Sequence, residues 1–245
     1  MNTTEFQNAC AMVMAGDREK SGIGTLSEKT LHAVLKHYFE PDYEKQEVKV
    51  GRYVADISGD NGIIEVQTQG YNKLRNKLSA FLEHTPVTVV YPIAETKWLS
   101  WIDQETGEHS KRRKSPKTGT VHDAFYELYK IKSHLLHPNL RLCLVLLELE
   151  EFRYLNGWSK DRKRGSSRCE RLPIALRAEV HIHSPADYAK LVPPTLPQSF
   201  TTKDFAKAAR LRLPSAQLAL NVLYYVNTVT RTGKQGNLIV YERAF

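Results

Sequence analysis

The segment that most constrains this chain is Pro86-Val-Thr-Val-Val-Tyr-Pro92, which follows directly on a helical pattern. An unbroken β-branched run of this length cannot leave one face in water, so it reads as a central strand covered on both sides. Helices must supply the cover. Leu31, Val34, Leu35 and Tyr38 recur at helical spacing over 27–39, and Leu74, Leu78, Phe81 and Leu82 do so over 72–84. Between the two helices, 47–50, 53–57 and 63–69 read as short strands, the last two parted by the turn cluster Ser58-Gly-Asp-Asn-Gly62. The expected class is α/β, a mixed central sheet flanked by helices.

Further strands are expected at 97–102, 140–150 and 172–183, with a helix over 121–132. Pro185 and Pro193-Pro194-Thr-Leu-Pro197 suggest a proline-rich linker over 185–198, dividing a domain of residues 1–184 from one of 199–245. In the latter, Thr202 can cap a helix over 203–210, and Pro214 stands where a first helical turn tolerates proline. A second helix follows over 215–226, and Arg231-Thr-Gly-Lys-Gln-Gly-Asn237 turns the chain into Leu238–Glu242. Helix, helix and hairpin in this order resemble a winged helix-turn-helix, over about the last fifth of the chain.

Lys plus Arg number 35 against 27 Asp plus Glu among 245 residues, a formal charge of +8 that favours an anionic partner. Two loops concentrate it: 111–117 with Lys111, Arg112, Arg113, Lys114 and Lys117, and 160–168 with Lys160, Arg162, Lys163, Arg164 and Arg168 behind Trp158. A solvated loop is the plain reading of such a run, and contact with a nucleic-acid backbone the functional one. Cys10, Cys143 and Cys169 are far apart and form no CxxC pair, which points to a reduced, cytoplasmic protein rather than a disulfide frame or zinc knuckle. The first residues lack a basic leader, and Leu142–Leu147 is too short to cross a membrane, so neither a signal peptide nor a membrane partner is expected.

The candidate chemistry lies in the strands. Period-two alternation puts Glu65, Gln67 and Gln69 on one strand face and Ile64 and Val66 on the other. The turn at 58–62 returns Asp56 beside Glu65. Carboxylates brought that close repel, raising a pKa, and a divalent cation relieves them. Hard oxygen donors suit Mg²⁺, held at about 2.0–2.1 Å with several waters retained. Such an ion polarises a phosphate and lowers the pKa of an attacking water.

Asp56 on a hairpin strand, Glu65-Val-Gln67 on the next and Glu28 on the first helix resemble the PD-(D/E)XK, restriction-endonuclease-like nuclease superfamily over residues 22–93. The resemblance implies a metal-dependent DNA endonuclease with Glu28, Asp56 and Glu65 as ligands of Mg²⁺ or Mn²⁺. Gln67 stands where the family usually has lysine. A neutral amide orients a water without supplying charge, so Lys73 or Lys77 on the next helix is the expected compensating cation. Enzymes of this type often dimerise to cut two strands, which makes a homodimer an expected form, although no dimer face shows in the sequence. Taken whole, the chain resembles uncharacterised prokaryotic proteins that join these parts.

The expected DNA contacts are Lys73, Lys77, Arg112, Arg113, Lys114, Lys117, Arg162, Lys163, Arg164, Arg231 and Lys234. Gln217 and Asn221 are the base readers on the second helix of the tail.

Each residue also has a structural reading. Glu28 completes a capping box with Thr25, and Asp56 can bond turn amides. Glu65 is harder to explain this way, because a charge inside an apolar strand needs a partner or a cleft. Glu95-Thr-Lys97 is a second acid-x-Lys pair outside the hairpin and is read as a decoy. Gly22-Ile-Gly24 reads as an entry loop. His181 and His183 read as two surface histidines, and for His134 and His137, near a helix end at Pro138, helix-dipole or solvent roles suffice. Two other functions remain open: a nuclease-like fold that binds DNA without cutting it, and a structural partner in a defence or repair assembly.

Overall fold

A computed structural model describes residues 1–18, 29–68, 70–156 and 167–245. Helix α1 (Thr3–Arg18) and helix α2 (Lys29–Phe39) precede strands β1 (Gln46–Val50), β2 (Tyr53–Gly59) and β3 (Gly62–Val66). Helix α3 (Tyr71–Leu82) leads into strand β4 (Val87–Ile102), with the short β5 (Arg113–Lys114) beside it. After α4 (Phe125–Lys130) come the long strands β6 (Leu140–Tyr154) and β7 (Ser167–Ile182). Strand β8 (Ser199–Thr201), helices α5 (Thr202–Ala208) and α6 (Leu213–Tyr225), and strands β9 (Val229–Gln235) and β10 (Leu238–Arg243) complete the chain.

The main sheet has the order β1-β2-β3-β4-β6-β7, with β5 on β4. Its β3–β4 and β4–β6 ladders are parallel and its other ladders antiparallel. This is the mixed, helix-flanked sheet expected from the sequence. On one face, Leu31, Val34 and Leu35 of α2 pack with Phe6 and Ala9 of α1 over Val66, Val90 and Val145. On the other, Leu74, Leu78 and Phe81 of α3 and Leu128 of α4 cover Val89, Leu142 and Leu144. The β-branched run is therefore buried from both sides.

Two strands expected at 86–92 and 97–102 are one. Val90 turns its carbonyl to the β3 edge, where the Gln67 amide donates at 2.9 Å. Two residues on, the Pro92 nitrogen faces the same edge beyond the last β3 residue, so no ladder bond is lost there. Gly119 occupies the vacated edge: its amide donates to Ala94 O at 3.0 Å, and a Cβ there would lie 2.4 Å from that oxygen.

The stretch 185–198 is not a free linker. Pro185–Leu191 is a 3₁₀ helix. Tyr188, Leu191, Val192 and Leu196 are buried in the core that also takes Ala216, Leu220 and Leu223 of α6. Tyr188 Oη donates to Leu135 O at 3.0 Å, and the Arg243 guanidinium donates to Pro193 O at 3.1 Å. Apolar side chains between the prolines decide this, because leaving them in water would cost more than ordering the segment. Residues 199–245 form an antiparallel sheet, β8-β10-β9, with α5 and α6, packed on α4. Thr201 caps α5, one residue earlier than expected, in a box with Asp204. The three cysteines are free and buried. Among the described residues, no helix is long and apolar enough to cross a membrane.

Because α6 and α4 share one core, Leu220→Ala, at a position with no exposure, should cost about 2–5 kcal/mol. That would lower the melting temperature of the whole chain by roughly 5–15 °C. A circular dichroism melt should show one transition; a second, unshifted transition would mean that the tail folds separately.

Candidate functional site

The site forms where β2 and β3 part. Their ladder runs from Gly59↔Gly62 to Ile57↔Ile64 and stops. Gly62 anchors the turn at φ +108°, with Pro86 O only 2.3 Å from where a Cβ would stand, so any side chain would push β3 off β4. At the next position, carboxylates replace the ladder. The Val66 amide donates to Asp56 Oδ2 at 2.8 Å, and the Asp56 amide donates to Glu65 Oε1 at 3.4 Å. The structure thus brings Asp56 and Glu65 together, as the strand pattern predicts.

Each carboxylate has a basic partner from a covering helix. Lys77 Nζ of α3 donates to Glu65 Oε2 at 2.5 Å, and His32 Nε2 of α2 lies 3.2 Å from Asp56 Oδ2. Glu65 is 1% exposed. Burial first, and then the Asp56 charge, push its pKa up to about 7 against the pull of Lys77. Asp56 goes the other way. Burial raises its pKa, but the His32 bond and charge, the Val66 amide and Lys77 together outweigh that and hold it below the ordinary value. Each of the two adjacent carboxylates accepts two hydrogen bonds, and they differ in proton affinity because Glu65 is the more deeply buried and faces the Asp56 charge.

A cleft of 540 Å³ opens beside their partners His32 and Val66, lined by these two with Ala33, Lys36, Glu47, Gln67 and Thr68 and by neither carboxylate. Gln67 lies just past the end of β3, on the cleft wall. Lys36 donates to Glu47 at 2.6 Å across the mouth. Of the two lysines expected to supply a cation, Lys77 reaches Glu65, while Lys73 lines an adjoining cleft with Tyr126 and Lys130. The start of α3, the helix that carries Lys77, is capped from outside. Gly70 provides no side-chain cap for α3, and the buried Glu127 of α4 accepts from the Tyr71 amide at 2.9 Å instead.

Glu28, Arg162, Lys163 and Arg164 lie outside the described residues, as do Gln69 and the Thr25 capping box. Among the described residues, no group of three or more His, Cys, Asp or Glu side chains is arranged to hold a metal ion. His181 and His183 pack ring to ring at 5.5 Å, and His181 Nε2 lies 3.2 Å from Glu179.

The expected nucleic-acid contacts scatter. Arg112 lies 4.8 Å over Trp98 and Arg113 4.5 Å over Trp101, so both are laid on the sheet by cation–π contacts. Lys114 is exposed beside them. Lys117 borders a 280 Å³ pocket with Lys97, Asp123, Glu151 and Arg171. Glu151 has no exposure and stands within 3.6 Å of Lys97, Arg153, Arg168 and Arg171. The decoy lysine, Lys97, thus belongs to a buried charge cluster. Gln217, Arg231 and Lys234 are exposed. Asn221 accepts from Lys132 at 3.0 Å, so its amide oxygen serves the α4–α6 contact rather than facing out as a base reader.

His32, Lys36, Glu47 and Thr68 were missed from sequence. His32 and Lys36 stand at i and i+4 beside the apolar stripe Leu31–Leu35, which marks one polar helix edge but not what faces it. The Glu65 shift gives a test. Its folded pKa exceeds the unfolded one, so the stability it contributes is full below the unfolded value and lost as pH rises through about 7. Asp56 acts in the opposite sense at more acidic pH. In urea titrations between pH 5 and pH 8, the natural protein should lose stability relative to Glu65→Gln; parallel profiles would place Glu65 at an ordinary carboxylate value.

The family described as Domain of unknown function (DUF8091) matches residues 29–183, more than half of the chain. An uncharacterized protein of Treponema pallidum (strain Nichols) is 28% identical over 228 residues, covering 90% of this chain and 87% of that protein. No solved structure matches.

Proposed function

We propose that this chain, which belongs to the DUF8091 family of unknown function, is a divalent-metal-dependent DNA endonuclease with Asp56 and Glu65 at its centre. The observation that carries the reading is the meeting of these two carboxylates at the fork of β2 and β3, with the Lys77 ammonium on Glu65. Helix, three antiparallel strands, helix and a parallel strand precede the rest of the sheet, in the order that the nuclease resemblance implies. The order β8, α5, α6, β9, β10 supports the winged-helix resemblance in the same way.

The donor set fits a hard cation. Mg²⁺ needs only one or two carboxylates besides water and substrate phosphate. The raised Glu65 pKa marks a place where added positive charge relieves both burial and repulsion. Asp56 and Glu65 would hold the ion. When bound, it would supply a Lewis acid at the scissile phosphate and a more acidic water.

The chain's own residues do the remainder. Asp56, with its pKa held down, stays ionised at neutral pH. Lys77 brings from α3 the cation that Gln67 cannot provide, and stands ready to offset charge that develops on the phosphate. Gln67, on the cleft wall, offers an amide to orient the attacking water. A second reading, a nuclease-like DNA-binding protein without turnover, draws on the same Gln67 and on Lys77 and His32 already bonded to the two acids.

Incubation of supercoiled plasmid with Mg²⁺ or Mn²⁺ should give nicked product. Asp56→Ala and Glu65→Ala should abolish it, and Lys77→Met should slow it about 10²–10³-fold. Full activity in both carboxylate variants would overturn the hydrolase reading. Salt-sensitive DNA binding with no product under either metal would favour the second one.

A further inference from the structure

We propose that the surface running from Gln67 along α4 to the end of α6 binds single-stranded nucleic acid, with tyrosine rings as platforms for the bases and neighbouring cations as contacts for the phosphates. Three tyrosines on this surface are exposed, Tyr126 by 64%, Tyr129 by 45% and Tyr225 by 36%, and Tyr224, next to the last of them in sequence, is exposed by 43%. Each is paired with a cation. Lys130 lies 4.2 Å over Tyr126, and Arg231 lies 4.3 Å over Tyr224. Lys132 stands 5.3 Å over Tyr129 and 5.1 Å over Tyr225. Each such pair sets a flat apolar surface and a positive charge within one nucleotide of each other. Stacking on aromatic side chains along a basic track is how single strands are held without regard to sequence.

The surface is continuous with the candidate site. Gln67 and Thr68 border both the cleft beside His32 and a 560 Å³ cleft containing Lys73, Tyr126 and Lys130. Lys130 also borders the next cleft, of 490 Å³, with Arg75, Tyr129 and Lys132. Lys132 then bridges to α6 through Tyr225. Cations therefore accompany Tyr126, Tyr129 and Tyr225 along this path, Lys130 being also bonded to Glu127 at 2.5 Å. A duplex keeps its base faces stacked internally and could use only the charges, leaving the rings with no partner. An unpaired strand uses both.

Of the two expected base readers on α6, Gln217 is exposed, while Asn221 serves Lys132. The inference rests on the nucleic-acid reading above and adds to it the form of the strand.

Binding can be tested apart from cleavage, by fluorescence anisotropy on the full chain carrying Asp56→Ala in EDTA. The probes are fluorescein-labelled oligo(dT) and a duplex of equal length. The single strand should bind at least tenfold tighter than the duplex, and more weakly as salt rises. Adding Tyr126→Ala or Tyr225→Ala should weaken oligo(dT) binding by about fivefold or more. Tyr126→Phe, which keeps the ring, should bind as the parent does. Equal or tighter duplex binding, or alanine variants that bind unchanged, would overturn the stacking path and leave the nuclease reading to the plasmid assay. Tight oligo(dT) binding by a protein that nicks nothing would uphold the path and remove catalysis. No binding to either probe would overturn the path and the nucleic-acid reading together.

Discussion

The early end of β3 sets the layout of the molecule. It spans Gly62–Val66, while its parallel neighbour β4 runs on to Ile102. Where β3 stops, three consequences follow from one missing row of partners. Pro92 can sit inside a long strand because its nitrogen faces the empty edge. Gly119 closes part of that edge from the far side. Thr68, just beyond Gln67, borders three separate clefts. The Val66 amide, which a longer β2–β3 ladder would have engaged, takes the Asp56 carboxylate instead.

Two buried glutamates show contrasting solutions to the same electrostatic problem. Glu151 has four cations within 3.6 Å. Burial raises its pKa, but Lys97, Arg153 and Arg168 outweigh it and hold the carboxyl below the ordinary value. Glu65 has one lysine and an acidic neighbour, and its pKa rises. A carboxylate with excess positive charge around it suits a structural tie between strands. One left short of positive charge beside a cleft suits chemistry, because a cation can still lower its energy. That difference, rather than the presence of an acid on a strand, separates Glu65 from the other acids of the sheet.

Helix packing carries this arrangement outward. Glu127 of α4 caps the start of α3, the helix that carries Lys77. The same α4 supports α6 and the tail through a shared core. The tail is thus joined mechanically to the helix that delivers the site's lysine, and the exposed Tyr126, Tyr129, Tyr224 and Tyr225 lie on the two helices that make this junction.

Much of the fold was legible in the chain, because hydrophobic periodicity is local. Leu31, Val34 and Leu35 declare α2, and the run from Val87 declares a strand covered on both faces. The turn at 58–62 was enough to bring Asp56 beside Glu65. Spacing could not show that 185–198 packs, since prolines signal a boundary whether or not the residues between them are buried. Nor could it choose between Lys73 and Lys77, which stand one turn apart on the same helix face: where α3 lies along the sheet decides which one meets Glu65. His32 and Asn221 illustrate the same limit, since each is given its role by an atom from a distant segment. The chain alone determined which elements form and which acids are neighbours, because turns and alternation act over a few residues. Only tertiary structure decided which cation pairs with which acid and which aromatic rings stay exposed, because desolvation and charge depend on everything packed around a group.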